Sequence, residues 1–210
     1  QAKLPILLEE GACPGQHTAA GELAHYLKRI TGADFAIKEG AAQGGAIVLK
    51  EDKGLPEEGF RLKTENGGLT IAGGSLRGLF YGVYGFLEDV LGVGFYAHDV
   101  TRIPTADRLE LEELDRSDQP ALEFRQLDNP MNDYADWRAH NRLNGPDHNH
   151  VTAVKDGLNH FGGLKSYSLF VHTFNRLVPV ERYFDEHPEY FSMVDGQRIR
   201  ERTQLCLTNP

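Results

Sequence analysis

The sequence predicts an α/β protein in two parts: a mixed sheet with two main helices over residues 1–115, then an alternating strand–helix array over 121–210. Three observations predict this. Helical stripes of apolar residues at 18–31 and 76–91 are interspersed with short apolar runs of strand length. Asn66-Gly67-Gly68 joins two alternating runs as a hairpin turn, because Asn and Gly tolerate positive φ. Beyond the polar, proline-terminated stretch Asp115–Pro120, the pattern runs strand, helix, strand, helix, strand.

The elements follow in order. Lys3–Glu9 is a short apolar run, expected as the first strand. From Thr18, residues Ala20, Leu23, Ala24, Leu27 and Ile30 share one helical face, while Glu22, His25, Lys28 and Arg29 share the other. Thr18 is the expected cap and Gly32 the expected terminator. Phe35–Lys38 and Ala46–Lys50 read as strands, and Phe60–Lys63 with Leu69–Ile71 as the hairpin arms.

The second helix carries Leu76, Leu79, Phe80, Val83, Phe86, Leu87 and Val90 in one stripe. Burying each is worth roughly 1.5–3 kcal/mol, so the stripe is expected to anchor the sheet. Gly78, Gly82 and Gly85 form a second stripe, and each costs about 1 kcal/mol relative to Ala inside a helix. Such a face implies close backbone packing, expected against the second part of the chain. Relief of crowding against loops is the alternative. Gly73-Gly74-Ser75 before this helix is explained by a tight strand-to-helix turn rather than a phosphate cradle.

Downstream, Asp115–Pro120 reads as a linker and Ala121–Leu127 as a strand. Tyr134–Leu143 follows as a helix, Ser166–His172 as a buried strand, Pro179–Phe184 as the opening of a helix, and Gln204–Leu207 as a third strand. Asp195-Gly196 marks a turn.

Composition narrows the partners. Hydrophobic residues make up 40% and charged residues 25%, ordinary for a folded domain. Thirty-one acidic residues against twenty-two basic ones leave a formal charge of -9, which repels nucleic acid. No apolar run is long enough to span a membrane. The first residue is Gln1 rather than Met, so a removed leader or a start inside a longer protein is expected. Cys13 and Cys206 form no CxxC pair and read as two separate thiols, free or bridged. His148-Asn149-His150 lacks a third ligand at motif spacing, so neither a metal nor another cofactor is expected.

The stretch EEGFRLKTENGGLTIAGGSLRGLFYGVYGFLEDVLGVGFY, Glu57–Tyr96, resembles the N-terminal α/β domain shared by bacterial α-glucuronidases and β-hexosaminidases. HTFNRLVP (172–179), YFDEHPEYFSMVDGQR (183–198) and QLCLTNP (204–210) resemble a domain of unknown function found behind such domains in polysaccharide-degrading bacteria. The resemblance implies an accessory domain over 1–115 and the first strands of a (β/α)8 TIM barrel over 121–210, with the catalytic pair on later strands. It also implies a bacterial secreted, periplasmic or cell-surface setting and a carbohydrate substrate.

In such a barrel, strand ends carry the site. Arg125, Asp128, His172 and Asn209 are then the expected substrate-binding residues: a guanidinium clamp, a ligand for sugar hydroxyls and two hydrogen-bonding walls. Trp137 is the expected stacking ring. Each has a structural alternative. Arg125 could pair with a buried carboxylate such as Glu123 or Asp128, His172 and Trp137 could belong to the core, and Asn209 could shape a turn. The catalytic residues are not identifiable in this stretch. Hydrolysis needs two carboxylates at a set separation, and a non-catalytic carbohydrate-binding or interaction module is the competing function.

Overall fold

A computed structural model describes residues 4–41, 45–147, 158–166, 173–200 and 204–209. Its contacts divide the chain into two units, Gln1–Ser166 and Tyr167–Pro210.

The strands of the first unit are β1 (Ile6–Leu8), β2 (Ile37–Glu39), β3 (Ile47–Glu51), β4 (Phe60–Glu65), β5 (Gly68–Gly73), β6 (Gly94–Ala97), β7 (Val100–Arg102) and β8 (Asp115–Asp118). Six of them form one mixed sheet in the order β2-β1-β3-β5-β4-β8, while β6 and β7 pair as a separate hairpin. The β2, β1, β3 and β5 strands run parallel, and β4 is antiparallel to both its neighbours. Parallel neighbours need a crossover, and α1 (Pro14–Thr31) supplies it between β1 and β2. Ile6, Leu8, Ile47, Leu49, Leu62, Leu69 and Ile71 join Leu23, Leu27 and Ile30 of α1 in one apolar core.

Helix α1 starts four residues before the expected Thr18. Pro14 suits the first turn, and the Gln16 side chain accepts a hydrogen bond from the Cys13 amide at 2.8 Å. Thr18 sits inside the helix and donates to the Pro14 carbonyl at 3.0 Å. The helix ends as expected, with Gly32 at φ 71°. The hairpin also forms as expected, with Asn66 at φ 53° and Gly67 at φ 72°.

Helix α2 (Leu76–Gly85) continues into a π-helical turn, Phe86–Val90, and every residue from Arg77 to Gly85 is buried. Its apolar stripe joins the sheet in one core as expected, but its glycine stripe, expected against the second part of the chain, is not placed there. The glycine stripe lies on the sheet. A Cβ at Gly78 would meet the Gly59 carbonyl oxygen at 2.5 Å, and one at Gly82 would meet Ile71 Cγ2 at 2.8 Å. One at Gly85 would meet the Phe60 ring at 2.8 Å. Glycine therefore sets how closely α2 approaches β4, β5 and the loop before β4. Phe80 faces the other way, against Phe161 at 5.4 Å between ring centroids.

Two downstream readings are corrected. Asp115–Asp118, expected as a linker, is the edge strand β8, held by a bidentate Arg61–Asp115 pair at 2.7 and 2.8 Å. An all-polar strand is tolerated there because its outer side faces water. Ala121–Leu127 forms no strand, because the Arg125 amide bonds the Asn144 side chain at 2.9 Å rather than a ladder. Helix α3 (Ala135–His140) falls inside the expected 134–143.

Among its described residues the second unit has two short α-helices, Phe174–Leu177 and Val180–Tyr183, a 3-10 turn Pro188–Tyr190, and the hairpin β9 (Met193–Val194) and β10 (Gln197–Arg198). Asp195 at φ 50° and Gly196 at φ 80° make the expected turn. Phe191 is its buried centre and packs on Phe184 at 5.3 Å. Gln204–Leu207, expected as a strand, contributes one bridge, Leu205 to Phe191. Of the second strand expected over Ser166–His172, all but Ser166 lies outside the described residues.

Gly78→Ala is expected to destabilise the protein by about 1–3 kcal/mol, because the clashing atoms are backbone carbonyls that cannot move aside. Gly21→Ala in α1, exposed and with open space around it, is expected to stabilise by up to about 1 kcal/mol. Chemical denaturation of the two variants checks the opposite signs.

Candidate functional site

The densest polar arrangement in the first unit surrounds Glu58, in the loop before β4. Ser75 shapes this region: its hydroxyl caps α2 by accepting from the Gly78 amide at 3.3 Å and donates to the Glu57 carbonyl at 2.6 Å. Glu58 is thereby set beside Arg77, one residue into α2. Arg77 Nη1 donates to Glu58 Oε1 at 2.6 Å, Asn144 Nδ2 to the same oxygen at 2.8 Å, and Arg125 Nη1 to Oε2 at 2.9 Å.

The remaining donors of both guanidiniums are directed at protein oxygens. Arg125 Nε donates to the Arg142 carbonyl at 2.7 Å and Nη2 to the Tyr81 hydroxyl at 2.9 Å. Arg77 reaches the Gly162 carbonyl through Nε and Nη2 at 3.4 and 3.3 Å. The side chains of Glu58, Arg77 and Arg125 are only 10–13% exposed. Burial pushes the Glu58 carboxyl up, but hydrogen bonds from Arg125, Asn144 and Arg77 outweigh it and hold the group below its ordinary range. Burial pushes the Tyr81 hydroxyl up to about 12.

A second cluster joins α3 to α1 and α2. His140 Nε2 lies 3.3 Å from Glu22 Oε2, and the Tyr84 hydroxyl donates to the same oxygen at 3.1 Å. The imidazole stacks on Phe95 at 4.1 Å and meets the edge of Tyr84 at 4.7 Å. Burial drives Tyr84 well above its ordinary value, with the neighbouring Glu22 adding to the shift. In a third pair, Arg142 Nη2 stands 3.0 Å from Glu88 Oε2. These ionised groups are engaged in binding one part of the fold to another, so their chemistry is that of a fastening.

The expected site residues are dispersed. Arg125 takes the structural alternative, but its partner is Glu58 and not Glu123 or Asp128. Trp137 is 8% exposed, so neither face of its ring is open to stack on a sugar. Asp128 is exposed. Asn209 is half-buried, and its amide donates to the Cys206 carbonyl at 3.1 Å, closing a turn. His172 and His148-Asn149-His150 lie outside the described residues. Among the described residues no group of acidic, His and Cys side chains is arranged to hold a metal, and no helix is long and apolar enough to cross a membrane. Cys13 and Cys206 are free thiols.

A groove of about 830 Å³ opens between the C-terminal end of α1 and the strap 107–111. Leu4, Leu27, Phe35, Ile47, Leu109 and Leu111 supply its apolar lining, and Arg125, Asp128, Trp137 and Asn209 are not among the residues that line it.

The sequence pattern missed Glu58, Arg77 and Asn144. One signal was present: Arg77 is the lone charge in LRGLFYGVYGFL, and a charge in such a helix needs a buried partner.

Residues 95–210 match the family model described as domain of unknown function (DUF4838). Residues 2–88 match the model for glycosyl hydrolase family 20, domain 2. Among solved structures, a family GH115 4-O-methyl-α-glucuronidase with specificity for decorated arabinogalactans is similar at 15% identity and a TM-score of 0.50. That match covers 69% of this chain and 25% of the other, and shows a shared fold. The N-acetyl-β-hexosaminidase of Streptomyces plicatus matches at 18% identity and TM-score 0.49, over 69% of this chain and 30% of that one. The β-N-acetylhexosaminidase of Bacteroides fragilis matches at 14% and 0.42, over 69% and 28%. The chain thus spans 25% to 30% of the length of these enzymes. No curated protein matches it.

Glu58→Gln is expected to cost about 3–5 kcal/mol, because it leaves two buried guanidiniums without their carboxylate. Asp115→Asn breaks the exposed Arg61 pair and is expected to shift the midpoint far less. Thermal and denaturant unfolding of the two variants compares them directly.

Proposed function

Because this chain belongs to the family of the DUF4838 domain and carries a glycoside-hydrolase-related α/β domain before it, we propose that it is the accessory and substrate-approach portion of a carbohydrate-active protein. The observation that carries this reading is the pairing of the two family matches on one chain, supported by the fold shared with the α-glucuronidase.

The α/β layer performs no chemistry in this reading. Its ionised groups at Glu22, Glu58 and Glu88 each face a base from residues 121–147, and a carboxylate so engaged is a poor general acid. Sugar contacts fall instead to Asp128, His172 and Asn209, in the part of the chain, 121–210, that the resemblance assigns to the opening of a (β/α) barrel, with Asp128 following an irregular stretch rather than a strand. Arg125 acts one step back, holding its segment on Glu58. The catalytic carboxylates belong to later barrel strands. The same reading entails a polysaccharide or oligosaccharide substrate and a bacterial secreted, periplasmic or cell-surface location. A module that binds carbohydrate without cleaving it is the competing function.

The 210-residue chain is expected to release no chromophore from any aryl glycoside. Turnover by it would overturn the assignment of catalysis to later strands. Affinity electrophoresis in gels containing polysaccharide is expected to retard the chain. Asp128→Ala is expected to weaken the retardation by roughly tenfold, the loss of a charged hydrogen-bond partner of about 1.5 kcal/mol. No retardation in any glycan would remove the carbohydrate reading of this segment.

A further inference from the structure

Three of the contacts that fasten residues 121–147 to the α/β layer bring a carboxylate of the layer to a base of the segment. The layer supplies three carboxylates: Glu58 before β4, Glu22 of α1, and Glu88 of the π-helical turn. The fastened segment supplies Arg125 and Asn144 to Glu58 at 2.9 and 2.8 Å, His140 to Glu22 at 3.3 Å, and Arg142 to Glu88 at 3.0 Å. The sheet–helix core is different in kind. Ile6, Leu8, Leu23, Leu27, Leu49 and Ile71 are each at most 1% exposed and carry nothing that titrates. Ala139 and the His140 stack on Phe95 add apolar contact to the second interface, but only there is the contact also proton-linked.

We infer that this second interface is an acid-operated release: as pH falls, residues 121–147 undock from α1 and α2 while the six-stranded sheet stays folded.

The signs follow from the groups facing each carboxylate. At Glu58, burial raises the carboxyl, and Arg125, Asn144 and Arg77 pull it below its ordinary range. At Glu22, burial again raises it, and His140, Tyr84 and His25 bring it below. Arg77, Tyr84 and His25 belong to the layer and stay with their carboxylates on release, so only the pull of Arg125, Asn144 and His140 is linked to docking; it favours docking above the released-state pKa and is lost as pH falls through the docked one. Glu88 opposes these two carboxylates. Burial raises it, Asp89 adds, and Arg142 and His140 only partly offset this, so it binds a proton more readily when docked. The outer charges at the Glu58 end are Lys165, Glu57 and Glu123, with Lys165 at 3.7 and 3.6 Å from the two carboxylates. At the Glu22 end, Asp136 acts on Tyr26 and Tyr84. Below the ordinary carboxylate range Glu88 is protonated whether docked or released and adds no slope, so Glu58 and Glu22 act there unopposed and docking should weaken by up to about a hundredfold per pH unit.

Trp137, the one tryptophan of the chain, lies on the fastened segment and is 8% exposed, so it reports release directly. The full chain is titrated from pH 7 to pH 3 while tryptophan emission and amide hydrogen exchange are recorded. The expected result is a red shift of Trp137 and lost protection at Leu143, Asn144 and Gly145, at a pH where Leu49 and Ile71 remain protected. A single transition in which strand and segment amides are lost together overturns the inference, as does an unshifted Trp137 at pH 3. Glu58→Gln, if it folds, should show segment exchange already at neutral pH. Glu22→Gln keeps a hydrogen-bonding group for His140 and removes one of the two favourable protons, so its pH dependence should flatten. An unchanged slope in Glu22→Gln also overturns the assignment.

Discussion

Two guanidiniums share one carboxylate at Glu58, out of water, and the first unit depends on that arrangement. Arg77 and Arg125 are 10% and 13% exposed at their side chains, so neither charge can be left to solvent. The carboxylate is held where both can reach it by a backbone cradle: Gly74 donates to the Gly59 carbonyl at 2.9 Å, and Ser75 donates to the Glu57 carbonyl. Gly78 then lets α2 lie against the same loop. The glycines and the ion cluster are therefore one device. Close approach of α2 brings Arg77 to Glu58, and the ionised pair in turn offers a fixed anion to Arg125 and Asn144.

The consequence is a division of labour between forces. Apolar burial joins α1 and α2 to the sheet, where Ile6, Leu8, Ile47, Leu49, Phe60, Leu62, Leu69 and Ile71 pack in the core. Directional, charged bonds join residues 121–147 to the helices. Burial is indifferent to orientation, whereas a guanidinium donating to a carboxylate, a hydroxyl and carbonyls admits one orientation only. A stretch without secondary structure, such as 121–129, can be held this way because its backbone groups find side-chain partners. The Asn144 carboxamide accepts from the Arg125 amide and donates to Glu58 and to the Glu123 carbonyl.

This also bears on function. Ionisable residues grouped in a glycoside-hydrolase-related fold invite a catalytic reading, yet these groups are consumed by contacts within the chain. Asp128, expected from the sequence to meet a sugar, stands exposed at the surface.

Much of the layer was legible from local signals. Gly32 as a helix terminator, the Asn66-Gly67 turn, the alternation of Phe60–Lys63 and the stripe on α1 each rest on contacts within a few residues, which the order of residues carries directly. The glycine stripe announced close packing but not its partner. The linker reading of Asp115–Asp118 failed because a partner strand fifty residues away, through Arg61, made a polar stretch an edge strand. The sequence by itself determined the mixed α/β character of the first part, its two helices and the need for something to lie close on α2. Only the tertiary structure decided what lies against the glycine stripe of α2, and that Arg125 belongs to Glu58, 67 residues away. The reason is physical. Helix stripes and turns are short-range, whereas the choice of a buried charge's partner depends on where separate segments come to rest.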